Sequence, residues 1–421
     1  MADPVERFRA DIGRARTPGA YVPGRWSVAP ANRDAAVTGT PPESVRLRDT
    51  SMRAIESMPG VAPAPEAKAA FLRSLVRSDV PEIVTAGPGG RDPDAVRAEL
   101  ALIKGERPDC VVSCPFVSTA EGADLAGDLG YDAVQVAVPG FGPASGMYGG
   151  PVPASRDEVV ARAAAVVAHA RARGLRTAAA LTLVSYLAEE DLAGSAAAMA
   201  RAGADEIVLF DGPGAVGPEA FGRLVGTTRS AAPGVDIGVH PHNTFGLGVA
   251  CAVAAARAGA AVVESSVNGY CGGPGNAELA ATAAAFEALY GVRTGLRLDT
   301  LTGLARAAAE LTGHPAAANQ PITGRDAFCW GGGDWVVAER DVDPLIHNCV
   351  EPALFGNERR IPLTPQSGPR VMADTLRRLG VTADPASVPA VVDAYRAELS
   401  RLERPLTDEE IRALARSVLA G

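Results

Sequence analysis

The sequence has very few lysines, few aromatic residues and no long apolar run. Among its 421 residues the lysines are Lys68 and Lys104, and both lie in segments of helical pattern or just after one, away from any predicted strand end. Covalent catalysis through a Schiff base needs a desolvated lysine in the site, so this route to a stabilised carbanion is disfavoured. If the protein handles carbanions, a bound metal ion is the expected electron sink.

Other absences narrow the class of protein further. No stretch of about 20 apolar residues occurs, and the N-terminus lacks the apolar core of a signal peptide. The six cysteines show no CxxC pair and no disulfide-scaffold spacing, so most are expected to be small buried hydrophobic residues. A net charge of −9 argues against nucleic acid or an anionic membrane surface as partner. We therefore expect a cytoplasmic, soluble protein that binds neither nucleic acid nor membrane.

From Val45 onward, short apolar runs typical of buried strands alternate with alanine-rich stretches of helical periodicity. Eight runs are predicted as strands: 45–49, 82–87, 110–116, 133–140, 176–185, 206–212, 236–243 and 262–269. Eight strand–helix units in about 250 residues are the count and size of a (β/α)8 barrel. An open doubly wound sheet is the alternative, but no glycine-rich phosphate loop follows the first strand. The sequence therefore predicts an α/β fold, a (β/α)8 TIM barrel followed by a mainly helical lid.

The pattern changes on both sides of the predicted barrel. Residues 1–43 are rich in proline, glycine, alanine and arginine and are predicted to be an N-terminal extension. The barrel is assigned to 44–298 and a C-terminal helical lid region to 299–421. Within the latter we expect an irregular stretch over 313–370 and two or three closing helices, the last begun by the capping sequence PLTDEE.

The strongest candidate for a reactive site lies at the end of the seventh predicted strand. Reacting groups of a barrel lie at the C-terminal ends of its strands, and this strand ends in His240, Pro241, His242 and Asn243. Alternate side chains of a strand share a face, so both imidazoles can bind one metal ion. The alternative is a pair of structural histidines at the barrel mouth.

Two further segments at strand ends carry polar residues. The eighth run leads into the glycine-rich segment NGYCGGPGN, and Asn276 at its end could offer a carbonyl oxygen to the same ion or cap the next helix. The first run continues through Asp49 to Arg53 and Glu56. Arg53 would place a fixed cation near a metal, which suits a carboxylate or enolate oxygen, unless it simply pairs with Glu56 at the surface.

Together these segments resemble the metal-dependent barrel family that includes isopropylmalate synthase, homocitrate synthase and hydroxymethylglutaryl-CoA lyase. The resemblance begins at about residue 44 and covers nearly all of the chain after it. It rests on the barrel segments DTSMRAIESMPG, HPHNTFGLGVA and VNGYCGGPGNAEL. The later segments NQPITGRDAF, EPALFGNERRIPL and PLTDEEI are similar to the C-terminal subdomains of the synthase branch.

This resemblance implies a site and a reaction. His240, His242 and Asn276 would bind a divalent metal (Mg, Mn, Zn or Co), with Arg53 and Glu56 as catalytic residues. Family members bind a 2-oxo acid to the ion and join it to an acyl-CoA enolate. The expected substrate-binding residues are Asp49, Asp211, Asn243, Trp330 and Trp335. The resemblance also implies a homodimer, and we expect the alanine-rich C-terminal helical region to be too apolar to stand alone, which favours the same state.

The chain departs from the family at positions that matter for catalysis. The metal-bound acid that follows the family's arginine is replaced by Ala54, so either Asp49, Glu56 or a water substitutes for it, or the metal is weakly bound or lost. The strand-six motif appears as Asp211-Gly-Pro-Gly, without its hydroxyl. Trp330 and Trp335 stand where the synthases keep histidines that activate the acyl-CoA, unless they only pack as lid residues. Indole cannot act as a base, which leaves Glu56 and Tyr270 as candidates for moving a proton.

We therefore expect an enzyme similar to the homocitrate and isopropylmalate synthases, an acyltransferase or carbon–carbon lyase of a specialised pathway. It would form carbon–carbon bonds on a small 2-oxo acid through a metal-stabilised enolate, with a coenzyme A thioester as candidate co-substrate. One alternative is a lyase that runs the retro-aldol or retro-Claisen direction on a hydroxy acid. Another is a catalytically silent relative that binds an acid, which bound metal in the purified protein would argue against.

Overall fold

The computed structural model describes residues 4–140 and 155–420. The chain forms two compact units, one of Ala31–Ala316 and the other of the described residues of Met1–Pro30 and Ala317–Gly421. The unit boundaries therefore differ from the predicted ones, because the first 30 residues group with the C-terminal region. In the described part of the chain, none of the helices is long and apolar enough to cross a membrane.

The first unit is a closed barrel of eight parallel strands in chain order, with the last strand paired to the first. Its strands are β1 (Arg46–Asp49), β2 (Glu82–Val84), β3 (Val111–Val117), β4 (Ala133–Val138), β5 (Arg176–Thr182), β6 (Glu206–Asp211), β7 (Asp236–Pro241) and β8 (Val262–Ser265). Every residue of β4 and β6 is buried, as expected for parallel strands covered on both faces. The predicted (β/α)8 barrel is confirmed.

Helices connect and cover these strands. The longer ones are Pro65–Arg77, Pro93–Glu106, Ala120–Leu129, Arg156–Ala172, Glu189–Ala202, Pro218–Ala231, Gly248–Arg257, Leu279–Ala284 with a π-helical continuation over Ala285–Tyr290, and Leu301–Thr312. Short helical turns lie at Pro30–Arg33, Ala35–Thr38, Ser51–Ala54, Ile55–Ser57, Val184–Tyr186, Val267–Gly269 and Leu298–Thr300. The suggested capping role of Asn276 is wrong, because Glu278 caps the helix by accepting a hydrogen bond from Ala281 N at 2.6 Å.

A buried ionic cluster lies inside the barrel. The guanidinium of Arg48 on β1 contacts Glu82 at 2.8 Å, Glu206 at 2.6 Å and Glu264 at 3.1 Å. Burial by itself lowers the pKa of Arg48, but the three carboxylates outweigh it and raise that pKa well above the ordinary value. All four side chains are almost fully buried, so the loss of Arg48 would leave three carboxylates in the interior without their shared cation. The cluster holds Glu264 in place for the site described below.

The second unit contains a short antiparallel hairpin and several helices. The hairpin pairs Tyr21–Val22 with Trp26–Ser27, and the helices are Pro4–Ala15, Asp334–Val342, Pro352–Phe355, Pro369–Arg378, Val388–Leu402 and Asp408–Ala420. Three helices close the chain, as predicted, and Thr407 and Glu410 form the expected capping box through reciprocal hydrogen bonds of 2.8 and 3.2 Å. The stretch predicted to be irregular contains the helix Asp334–Val342, which the glycines before it obscured.

The C-terminal helices bury their own apolar residues. Met372, Leu376, Val391, Tyr395 and Ile411 pack into one cluster shared by the last three helices. The expectation that this region is too apolar to stand alone therefore does not hold. The homodimer prediction is left with the family resemblance as its support.

Candidate active site

The two histidines at the end of β7 come together on one face. His240 is 1% exposed, and its ring centroid lies 5.1 Å from that of His242, two residues further on. The Nδ1 atom of His240 is hydrogen-bonded to Glu264 Oε2 on β8 at 2.8 Å. This bond leaves Nε2 as the ring nitrogen that can bind a metal or a substrate.

The charge of Glu264 is set by its neighbours. Burial by itself raises the pKa of Glu264, but the hydrogen bond and charge of His240, together with Arg48 and Arg53, lower that pKa to about 2. Glu264 is therefore an acceptor at neutral pH and keeps the proton of His240 on Nδ1. A carboxylate that orients a histidine in this way is the usual outer partner of a metal ligand.

An aromatic wall lies beside His240. Phe210 on β6 stacks on the imidazole with centroids 4.5 Å apart, and Phe116 on β3 packs against Phe210 at 5.5 Å. Phe116 has a φ of +48°, and the pairing of β3 with β4 shifts register between Cys114 and Val117. A bulge with a non-glycine residue in the left-handed region is costly and is typical of functional sites. Here it accompanies an aromatic wall beside His240.

Arg53 lies on the short helix after β1 and contacts this wall. Its guanidinium carbon is 5.0 Å from the ring centroid of Phe116 and 5.7 Å from that of Phe210. Its Nε and Nη2 atoms are buried, and among the described residues they have no hydrogen-bond partner. Buried donors are rarely left without an acceptor, so these two nitrogens are the natural place for an anionic ligand. The alternative pairing with Glu56 involves a side chain outside the part that the structure describes.

Asp49 ties the end of β1 to the segment after β8. Its carboxylate accepts hydrogen bonds from Ser51 N at 3.0 Å and Ser51 Oγ at 2.7 Å, and Ser51 Oγ in turn accepts one from Val267 N at 2.8 Å. Complete burial raises the pKa of Asp49 to about 7, although the Ser51 hydrogen bonds and the charge of Arg53 act in the opposite direction. The structure therefore places Asp49 behind the helix that carries Arg53.

Asn276 and Asn243 lie next to the histidines, and their side chains hold the adjacent loops through hydrogen bonds. The backbone of Asn276 pairs with that of His242, its side-chain oxygen accepts a hydrogen bond from Ser266, and its amide donates to Thr50 Oγ1 at 3.3 Å. Asn243 accepts a hydrogen bond from Gly248 N at 2.9 Å, at the start of the next helix. The structure thus places Asn276 beside the imidazoles, while the side chain of Asn243 is used to hold a turn.

Asp211 lies at the end of β6, one residue after Phe210. Since side chains alternate along a strand, Asp211 faces away from the side on which Phe210 meets His240. Its Oδ2 accepts a hydrogen bond from Val216 N at 2.8 Å, and its buried Oδ1 has no partner among the described residues. The structure therefore connects Asp211 to the turn after β6 and does not bring it to the imidazoles.

Cys271 is the residue at this site that sequence reasoning missed. Among the described residues, His240, His242 and Cys271 form a group whose potential ligand atoms all lie within 4.8 Å of one another. Burial by itself raises the pKa of Cys271, but hydrogen bonds with both imidazoles and the charges of His240 and Arg53 lower it to about 5. The sequence feature that could have identified Cys271 was its position five residues before Asn276, in the loop after β8.

The remaining candidates are Trp330 and Trp335 of the second unit and Tyr270 in the loop after β8. In the second unit, His347 lies between Trp330, whose ring stacks on it at 5.1 Å, and Trp335, whose ring meets it edge-on at 4.8 Å. The indole nitrogen of Trp330 donates to Asn348 Oδ1 at 2.8 Å. In the first unit, the hydroxyl of Tyr270 donates to the backbone carbonyl of His314, so this tyrosine is already engaged.

A parallel eight-stranded barrel with histidine, cysteine and arginine side chains at the ends of its strands defines an enzyme of the (β/α)8 class. The chain belongs to the HMGL-like family, whose model matches residues 44–307. This confirms the resemblance proposed from the sequence motifs.

Similar proteins include synthases of organic acids. The chain is 31% identical to a putative (R)-citramalate synthase of Methanopyrus kandleri, with 92% of this chain and 75% of that protein covered. It is 31% identical to a 2-phosphonomethylmalate synthase of Streptomyces rubellomurinus, over 87% of this chain and 96% of that protein. A probable 2-isopropylmalate synthase of Ignicoccus hospitalis is 29% identical over 90% and 93%. The protein is accordingly an enzyme of the transferase or lyase type.

Solved structures show the same fold. The HMG-CoA lyase of Bacillus subtilis superposes with a TM-score of 0.57 at 21% identity and covers 66% of this chain and 96% of its own. The lyase of Brucella melitensis gives a TM-score of 0.55 at 20% identity, covering 65% of this chain and 100% of its own. These neighbours support the barrel architecture.

Proposed function

We propose that the protein condenses a small 2-oxo acid with the enolate of an acyl thioester, as a synthase of the citramalate and isopropylmalate type. The observation that carries this proposal is the convergence of His240, His242 and Cys271, whose potential ligand atoms lie close together, with Arg53, whose Nε and Nη2 have no hydrogen-bond partner among the described residues. One group suits a divalent cation, and the other suits a carboxylate or a polarised oxygen. A 2-oxo acid that binds through both its keto oxygen and its carboxylate requires these two groups side by side.

The donor set fits a divalent metal. His240 and His242 would hold it, with Asn276 beside them, and the Glu264 carboxylate already fixes the proton of His240 on the nitrogen away from the site. Such an ion would supply Lewis-acid polarisation of a carbonyl. No carboxylate follows Arg53, because Ala54 stands there with its side chain buried.

Arg53 is proposed to bind and orient the acid. The Phe116 and Phe210 rings hold its guanidinium by cation–π contact, so that little conformational entropy is lost when it binds an anion. A planar guanidinium can form two parallel hydrogen bonds to a carboxylate, which a lysine cannot. The aromatic wall excludes water from the same region and strengthens these charge-assisted hydrogen bonds.

Coenzyme A is the proposed carrier of the acyl group, because the sequence resembles a family whose synthases use an acyl-CoA. Trp330 and Trp335 replace the histidines that serve the family's acyl-CoA chemistry, so enolisation of an acetyl thioester by histidine at those positions is not expected. A homodimer is part of the proposal and rests on the family resemblance. Light scattering at micromolar concentration tests it, and a monomer would reject it.

Turnover with a panel of acids tests the proposed reaction. The purified protein is loaded with Zn²⁺, Co²⁺, Mn²⁺ or Mg²⁺ and mixed with acetyl-CoA and 2-oxo acids of increasing chain length. Water hydrolyses the thioester after condensation, so release of free coenzyme A, matched by a new acid with the mass of the 2-oxo acid plus that of acetic acid, supports the proposal. Failure with every acid, together with cleavage of a hydroxy acid or its thioester, would assign the lyase direction instead.

A further inference from the structure

The donor set at the mouth of the barrel lacks a carboxylate but contains a thiol. The position after Arg53 is Ala54, which is 1% exposed and offers no ligand atom. Two imidazoles alone would give a divalent cation no negatively charged ligand. Of the described His, Cys, Asp and Glu residues, those whose ligand atoms come close together here are His240, His242 and Cys271.

The loop after β8 is built to hold Cys271 at this place. Asn268 and Gly269 both have positive φ values, 57° and 69°, which turn the chain back at the end of the strand. The loop then closes on itself, because Asn276 N donates to Gly269 O at 3.2 Å. A Cβ added to Gly275 would lie 1.9 Å from Gly269 O, so glycine alone fits there. Cys271 lies inside this closed segment.

The other described cysteines have different surroundings. Cys110 and Cys251 are buried and donate to the backbone carbonyls of Val80 and Val216. Cys329 lies in the second unit, next to Arg360 and Asp326. None of them joins a histidine in a cluster of ligand atoms in the described part of the chain. Cys271 therefore differs from them in chemistry as well as in position.

We propose that Cys271 is a thiolate ligand of the metal and takes the place of the acid missing at Ala54. A thiolate restores the single negative charge that the carboxylate would have supplied. It also makes the donor set softer, so the site selects Zn²⁺ or Co²⁺ over Mg²⁺ and Mn²⁺, which prefer oxygen ligands. Two histidines and one cysteine are three protein ligands, the number typical of catalytic zinc sites. This proposal rests on the metal site of the proposed function and names its third ligand and its metal class.

Cobalt spectroscopy tests the proposal without relying on activity. Metal-stripped protein is titrated with Co²⁺, and the near-ultraviolet thiolate-to-cobalt charge-transfer band is recorded with the visible d–d bands. We expect both in the wild-type protein and in the control C329S, and loss of the charge-transfer band in C271S. Removing an outer-shell partner costs about 10–100-fold in metal affinity, so losing a direct ligand should weaken Co²⁺ binding by roughly 100-fold or more.

A double variant and a chemical probe complete the test. A54D/C271S should lack the charge-transfer band and should bind Mn²⁺ more tightly than the wild-type protein. Independently of any variant, bound Zn²⁺ should protect Cys271 of the wild-type protein from iodoacetamide, as mapped by peptide mass.

The outcomes separate this proposal from the proposed function. Cobalt that binds with d–d bands but without a charge-transfer band would overturn the role of Cys271 and leave the histidine site intact. Cysteine alkylation that is unaffected by Zn²⁺ would contradict the role in the same way. No metal binding at all would reject the metal site itself.

Discussion

The Nδ1 atom of His240 lies 2.8 Å from Oε2 of Glu264, and neither side chain is more than 1% exposed. The bond joins adjacent strands of the closed barrel and fixes which nitrogen of His240 faces the site. The other oxygen of Glu264 pairs with Arg48. The orientation of a candidate metal ligand is thus set by an ionic cluster in the barrel interior.

Glu264→Gln tests this relationship. The amide keeps the shape of the side chain but removes the charge that holds the His240 proton, so we expect metal affinity to fall about 10–100-fold. Competition with a chromophoric chelator measures it. Glu82→Gln is the matched control, because Glu82 contacts Arg48 in the same cluster but has no contact with His240. Equal loss of metal affinity in both variants would show that the ionic cluster affects metal binding only through the stability of the fold.

Arg53→Lys should impair catalysis and leave folding intact. Lysine keeps the charge but cannot form two parallel hydrogen bonds, and a hydrogen bond to a charged group is worth about 1.5–3 kcal/mol. We therefore expect kcat/KM for the 2-oxo acid to fall roughly 10–100-fold with little change in Tm. In the control Arg46→Lys, the replaced guanidinium is half-exposed and pairs with Asp236 at 2.9 Å, and its kinetics should not change. Unchanged kinetics in Arg53→Lys would remove Arg53 from the site.

Asp49→Asn should change the pH dependence of stability. Burial raises the pKa of Asp49 from 3.8 to about 7, so the folded state binds this proton more tightly than the unfolded state. In the wild-type protein, this contribution to the free energy of unfolding is full below about pH 4 and is lost by about pH 7. The variant should therefore gain stability relative to the wild type as pH rises through this window, by up to about 4 kcal/mol.

Urea unfolding of Asp49→Asn at pH 5 and pH 8 measures this gain. The exposed Asp109 provides the control, since Asp109→Asn should give the same difference from the wild type at both values. A constant difference for Asp49→Asn would mean that Asp49 is ionised in the folded protein throughout this range.

Deuterium exchange at the methyl group of acetyl-CoA tests the consequence of the two tryptophans. The sequence resemblance places Trp330 and Trp335 where the family's synthases keep histidines, and indole nitrogen donates a hydrogen bond but does not accept a proton near neutral pH. We expect exchange in D2O to be slow without a 2-oxo acid. Exchange at the rate of turnover, with or without the acid, would show that another base serves and that the tryptophans do not limit enolisation.

The barrel and the histidine pair could be predicted from the sequence because their signals are local. Most strands are continuous apolar runs, and the spacing of His240 and His242 alone predicts that they share one face at the end of β7. The partner of His240 could not be predicted in this way. Glu264 is 24 residues further along the chain and becomes its neighbour when β8 pairs with β7.

The position of Cys271 and the identity of the helix cap could not be predicted for the same reason, because they depend on contacts between distant parts of the chain. Cys271 reaches the imidazoles because a glycine-rich loop folds back on itself, and composition does not determine the path of such a loop. Asn276 and Glu278 both suit a helix start, and the backbone pairing of Asn276 with His242 decides that Glu278 is the cap. Tertiary contacts decide whether a polar side chain is available to bind a ligand or is used to hold a loop, and these contacts are known only once the fold is known.

Calorimetric titration of a 2-oxo acid into metal-loaded and metal-stripped protein tests the central claim most directly. The claim is that the acid binds at the barrel mouth to both a metal held by His240 and His242 and the guanidinium of Arg53. We predict binding of one acid per chain to the metal-loaded wild-type protein, with no measurable binding after the metal is removed and weakened binding in Arg53→Lys. Equal affinity of the stripped protein, or of Arg53→Lys, would contradict it.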